Sequence, residues 1–349
     1  MLSKVTKSQK EQSVKLNIQR TVANSQTTLP IVGVVSVLLW LVLPVTSGSS
    51  EFMSEEYGLW RFVPMALQEG YGAVGIGMLC AAIAVYMMVE LNNKNILLRV
   101  SSRMLGSMLA MLLAITVTCH GFQPGCMVLL LTLMSLFPLF TAYQHPDPTL
   151  SFEVFLLLSL ASLVFPKLVW LVPLYWLILG YFRAFSVRCF MASLLTLFMT
   201  YWLYAGFSAM SGSFHVFMEH MEAMMRFHSG DYHLVDYRDL VTFCFLVLLY
   251  VTGTVDFYAH RYLDRVRTRI LYDAVCLYGG VVIVMICLQP QYIDVLMPLL
   301  LMSAAMVFGH FFTLTHTKFS QIYCLILMLL AVVVVAVQYA CDAHLHLLF

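Results

Sequence analysis

Apolar runs of 15–21 residues recur from residue 31 to residue 339, and they constrain this chain more than any motif does. They fall at 31–46, 71–89, 104–120, 125–142, 151–165, 168–182, 189–209, 240–258, 270–288, 295–312 and 319–339. A helix needs about 20 apolar residues to cross a ~30 Å hydrocarbon core. Runs of this length and number predict an all-α, polytopic membrane protein with about 11 transmembrane segments (10–11). A membrane β-barrel would instead show short alternating segments. Composition agrees: 61% of the 349 residues are hydrophobic and 11% are charged, against roughly 25% charged in a soluble domain. So few charges leave no basic surface suited to nucleic acid.

Orientation follows from where the cations fall, because Lys and Arg in short loops are retained in the cytoplasm. With the N-terminus inside and the C-terminus outside, fifteen of the nineteen Lys and Arg lie in cytoplasmic segments. Arg61, Lys167, Arg226 and Arg238 are the four outside. The organisation read from this is a basic cytoplasmic segment (1–30), a single bundle (31–339) and a short extracytoplasmic tail (340–349). The bundle carries two outer loops, 47–70 and 210–239. A signal peptide ending near Ser47–Ser49 is the alternative for the first run, although its basic leader is long for one.

Residues 151–182 are the ambiguous part. One helix kinked at Pro166 would invert everything downstream and place Arg261, Arg265, Arg267 and Arg269 outside. A hairpin keeps them inside and is therefore preferred. Whether the hairpin spans fully or is re-entrant stays open. Small residues every four positions (Ala73, Gly77, Ala81; Gly106, Ala110, Ala114) predict close helix contacts. Gly70-Tyr-Gly72-Ala-Val-Gly75 matches a dinucleotide motif literally, but it opens an apolar helix rather than joining a strand to one. It is read as packing.

Candidate chemistry is sparse. The first outer loop carries Glu55 and Glu56, and some polyprenyl-linked glycosyltransferases place acids there as general base or metal ligand. Solvated interfacial acids are the plainer alternative. Charges deep in hydrocarbon are costly and mark pathways. Glu153 and Arg183, flanking the hairpin, are the candidates for a substrate path. The loop HRYLDRVRTR supplies Arg261, Arg265, Arg267 and Arg269 for anionic lipid headgroups or a substrate phosphate. Simple topology-setting is the alternative.

Residues 214–233, FHVFMEHMEAMMRFHSGDYH, fall in the second outer loop. On a helix, His215, Glu219 and Glu222 share one face, a speculative metal set, while Glu219 and His220 are acid/base candidates. His220 points about 100° from Glu219. A Met-rich helix lying on the outer interface is the alternative. Cys119 and Cys126 flank the turn HGFQPG and are a candidate disulfide, with two unpaired thiols as the alternative. No cofactor is implied.

Glu90-Leu-Asn-Asn93 and LLLSLASLVFPKLVWLVPLYWLILGYFRAF (156–185) combine an apolar run, an aromatic-Pro step, a second run and a closing Arg. Over residues 90–207 the chain resembles an uncharacterised family of multi-pass inner-membrane proteins of Bacteroidetes-type bacteria. The resemblance implies a bacterial inner membrane and supplies no activity. Three functions are compatible with the sequence: a protein supporting envelope assembly or another membrane complex, a transferase or ligase acting on a lipid-linked substrate at the outer face, and a transporter or flippase. The partners expected are the bilayer, anionic or polyprenyl-linked lipids, and other membrane proteins.

Overall fold

The computed structural model describes residues 28–42, 60, 63–64, 67, 70–98, 102–116, 119–226, 235–314 and 318–348. Of secondary structure these residues form helices alone, with no strand among the described residues. The helices are α1 (Thr28–Val42), α2 (Gly70–Asn95), α3 (Met104–Ile115), α4 (Pro124–Thr141), α5 (Pro148–Val164) and α6 (Val172–Tyr181). They continue with α7 (Val187–Met210), α8 (Phe214–Met225), α9 (Tyr237–His260), α10 (Val266–Leu288), α11 (Ile293–Leu314) and α12 (Lys318–Leu348).

Each apolar run has become a helix. Among the described residues, six helical segments are long and apolar enough to cross a membrane: Gly70–Asn95, Pro124–Thr141, Val187–Met210, Tyr237–Leu263, Val266–Leu288 and Pro290–Leu314. The other runs give shorter apolar segments, for which length alone does not require a crossing. The protein is thus a multi-pass membrane protein by its six long helices.

Helix α11 is the axis. It is apolar around nearly its whole circumference, and its side chains from Ile293 to Thr313 are buried except that of Asp294, which is half-buried. A helix apolar all round is a buried one. Here α3, α4, α9 and α10 enclose it. Backbone meets backbone at Gly253 of α9, where an added Cβ would stand 2.8 Å from the Val307 carbonyl carbon. The small-residue stripes read in the sequence also mark tight packing. A Cβ on Gly77 would lie 2.5 Å from the Gly121 carbonyl oxygen, and one on Gly106 would lie 2.4 Å from the Val89 side chain.

The 148–181 segment is a hairpin. Asp147 caps α5 by accepting from the Thr149 N–H at 2.9 Å. Pro166, which has no N–H to continue the helix, begins a 3-10 turn, Pro166–Leu171. α6 then returns beside α5, and the Phe155 and Tyr175 rings lie 6.3 Å apart. At the open end the Gln144 N–H donates to the Phe182 carbonyl at 3.0 Å. The chain therefore comes back to the level at which it left. Hydroxyl pairs stitch this region together: Ser135 to Tyr175 at 2.9 Å, Ser159 to Thr200 at 2.9 Å and Ser162 to Tyr201 at 2.5 Å. Such bonds hold helices together where water cannot compete.

The connections sort to two ends. At one end Asn95 meets Arg267, Tyr181 meets Asp273, and Arg261 meets Asp273. At the opposite end Phe165 packs on Tyr292, Gly125 lies against the Asp294 backbone, and Trp170 donates to the Met224 carbonyl. The first is the arginine-rich end.

Candidate functional site

The arginine-rich end carries a polar network built from four helices. Arg261, in the 3-10 turn Arg261–Leu263 that follows α9, lies 3.0 Å from the Asp273 carboxylate and over the Tyr258 ring. The Tyr181 hydroxyl donates to the same carboxylate at 2.7 Å. Arg267, the second residue of α10, donates to the Asn95 amide oxygen at 3.2 Å. Asn92 braces this corner by donating to the Ser102 carbonyl at 3.0 Å and accepting from the Leu98 N–H at 3.1 Å. Arg265 and Arg267 are exposed and Arg269 is half-buried. The four arginines singled out from the sequence do share one end, then, and two of them are oriented by fixed partners.

Beneath this surface lies a pair that loop-by-loop reading did not join. Asp264 and His310 are both buried, with carboxylate Oδ2 and imidazole Nε2 3.2 Å apart. The ring N–H is not aimed at the oxygen, so this is a close electrostatic contact rather than an aligned hydrogen bond. The imidazole is packed between Phe257 at 5.6 Å and Tyr272 at 4.7 Å, both edge-on. The two residues are 46 positions apart and came separately from a loop and a span. Only the fold brings them together. Carboxylate and imidazole at this spacing hold the loop before α10 against α11.

At the opposite end α8 folds back over α7 and the hairpin tip. Its inner face is Val216, His220 and Met224. His215, Glu219 and Glu222 lie on the exposed face, where Glu222 pairs with Arg226 at 2.7 Å. The structure thus separates the acid/base candidates, with Glu219 facing out and His220 facing in. No group of three or more His, Cys, Asp or Glu poised for a metal ion occurs among the described residues. Glu55 and Glu56 lie outside the described residues. Glu153 and Arg183 are both exposed, and Arg183 occupies a left-handed turn position with φ 57°. Cys119 and Cys126 are free, buried thiols, and the Cys126 Sγ–H points to the Gly121 carbonyl at 3.4 Å. A buried cation also sits here: Lys167, at the hairpin tip, donates to the Tyr292 hydroxyl.

His220 lies against the Tyr201 and Tyr204 rings at 6.1 and 5.3 Å, and neither ring nitrogen has a hydrogen-bond partner among the described residues. Burial holds its pKa down at about 4. His120 is stacked on Trp40 at 4.5 Å and makes a hydrogen bond to the Ala114 carbonyl at 3.0 Å. A histidine whose folded pKa is depressed favours the fold while neutral. That contribution is complete above about 6.5 and is lost as pH falls towards 4, where the unfolded form takes up the proton first. The shift at His220 corresponds to about 3 kcal/mol. Docking of α8 is therefore expected to weaken between pH 6.5 and 4, read as a change in emission from Trp170, which donates to the Met224 carbonyl at 3.1 Å. His220→Leu should flatten that profile, and an unchanged profile would remove His220 as its cause.

No protein-family model matches the chain, and no curated protein matches it. The resemblance over residues 90–207 rests on the quoted residues alone.

Proposed function

We propose that this chain is a non-catalytic, multi-pass protein of a bacterial inner membrane that supports assembly of the cell envelope or of a membrane complex. In this reading its N-terminus and arginine-rich end are cytoplasmic, and all eleven apolar runs cross or enter the bilayer. The observation that carries the reading is the gathering of Arg261, Arg265, Arg267 and Arg269 at one end of the bundle. Two of them are held by Asp273 and Asn95. Oriented guanidiniums at headgroup depth suit an anionic or polyprenyl-linked lipid phosphate. A non-catalytic role is supported by the divergence of Glu219 and His220 across α8.

The test is thiol labelling in intact cells together with partner recovery. A cysteine replacing Met225, which is 79% exposed, should react with an impermeant reagent from outside, above the parental background. One replacing Leu263 should react only after the membrane is opened, and the reverse pattern would invert the topology. The tagged protein should co-purify with a stable membrane partner in mild detergent. A consistently solitary protein, or loss of the cellular phenotype on substituting Glu55, Glu56 or Glu219 at unchanged protein level, would favour the transferase instead.

A further inference from the structure

A cleft of about 570 Å³ lies between α1 and α2, floored by α3. Its origin is a packing mismatch. α1 is fixed to α3, where the Ser36 hydroxyl donates to the Ala110 carbonyl at 3.2 Å. α2 is fixed to α3 through Gly106, against Val85 and Val89. Small side chains (Gly33, Ser36, Ala81, Ala82, Ala110) then leave the space between α1 and α2 unfilled. The cleft is open to the surroundings of the bundle, since Val37 and Tyr86 on its rim are 45% and 70% exposed.

Its walls run along α2 from Met78 to Asn93. That is about 22 Å of helix at 1.5 Å per residue, more than half the ~30 Å hydrocarbon core. Most of the lining is apolar. The polar residues Glu90, Asn93 and Arg103, all exposed, line it where α2 reaches the arginine-rich end. A long apolar slot bordered at one end by a carboxylate, an amide and a guanidinium is complementary to one leaflet's depth of a lipid.

The charges choose among lipids. A purely anionic headgroup would meet Arg103 favourably but bring its charge against Glu90. A headgroup with both phosphate and primary ammonium satisfies both: the guanidinium donates to phosphate oxygens, and the ammonium donates to the Glu90 carboxylate and the Asn93 carbonyl oxygen. A trimethylammonium has no N–H to give. We propose that this cleft is a binding site for one zwitterionic aminophospholipid, with an acyl chain between α1 and α2 and its headgroup spanning Arg103 and Glu90. The site is independent of the function proposed above, since it makes no use of the arginines of residues 261–269.

The experiment is native mass spectrometry of the full chain, released from detergent with phosphatidylethanolamine, phosphatidylglycerol and phosphatidylcholine of matched acyl chains. One molecule of phosphatidylethanolamine should be retained, about tenfold in preference to the other two. Glu90→Gln should erase the preference over phosphatidylglycerol without lowering total retained lipid, and Arg103→Gln should weaken retention of all three. Gly33→Leu should abolish retention at this site; a Cβ there meets nothing within 4 Å, so the side chain enters open space rather than backbone. An unchanged thermal unfolding midpoint in these variants separates lost binding from lost folding. Equal retention of the three headgroups, a preference for phosphatidylglycerol, or retention that survives Gly33→Leu would each overturn the proposal.

Discussion

Replacing His310 with leucine is expected to cost about 1–3 kcal/mol of stability, because it removes one polar contact of the buried Asp264 carboxylate while its other interactions remain. Leucine retains apolar contact with Phe257 and Tyr272, which line the imidazole edge-on. The effect therefore isolates the electrostatic pair from the packing. Pairing the change with Asp264→Asn should recover the larger part, since a neutral amide is far cheaper to bury than a carboxylate. The thermal unfolding midpoint of the purified protein in detergent checks both statements. If His310→Leu unfolds at the parental temperature, the contact at 3.2 Å does not help hold α11 to the loop before α10.

The second large effect is steric. Gly253→Val should destabilise the bundle by about 3 kcal/mol, at the upper end of overpacking costs. The new Cβ would meet the Val307 carbonyl carbon at 2.8 Å and the Phe308 nitrogen at 2.9 Å, and these are backbone atoms of the central helix that cannot rotate away. α9 would have to lift from α11 along its length. Gly206→Ala in α7 is the matched control, because nothing lies within 4 Å of a Cβ there. It should be neutral or gain up to about 1 kcal/mol through helix propensity. Equal behaviour of the two glycines in a thermal unfolding series would show that α9 and α11 are not tightly coupled.

The helices were legible in the sequence because a bilayer demands one signal, a long apolar run, and the chain repeats it. The hairpin was legible through Pro166 and through the cations beyond it, which a single crossing would have misplaced. Side-chain partnership was much less so. Asp264 and His310 belong to different elements and carry no local pattern that joins them. In α8 the methionines spread around the whole helix, so hydrophobicity did not reveal its phase. Only contact with α7 and the hairpin tip selected Val216, His220 and Met224 as the inner face, leaving the acids outward. Gly253 sits in VTGTV, without a small residue four positions away. Its role depends on the helix it meets and could not be read from its own run.

The enclosure of α11 has a consequence for how the protein is made. All four helices that wall it in, α3, α4, α9 and α10, precede it in the chain. Synthesis runs from the N-terminus, and earlier segments fold first. The larger part of the socket for α11 therefore precedes the helix, and α12, whose Tyr323 ring meets Phe311 edge-on at 6.1 Å, is added to it afterwards. A ribosome stalled after α10 would leave that socket as an open trough in the membrane. Such nascent chains should be the form most readily captured by membrane chaperones.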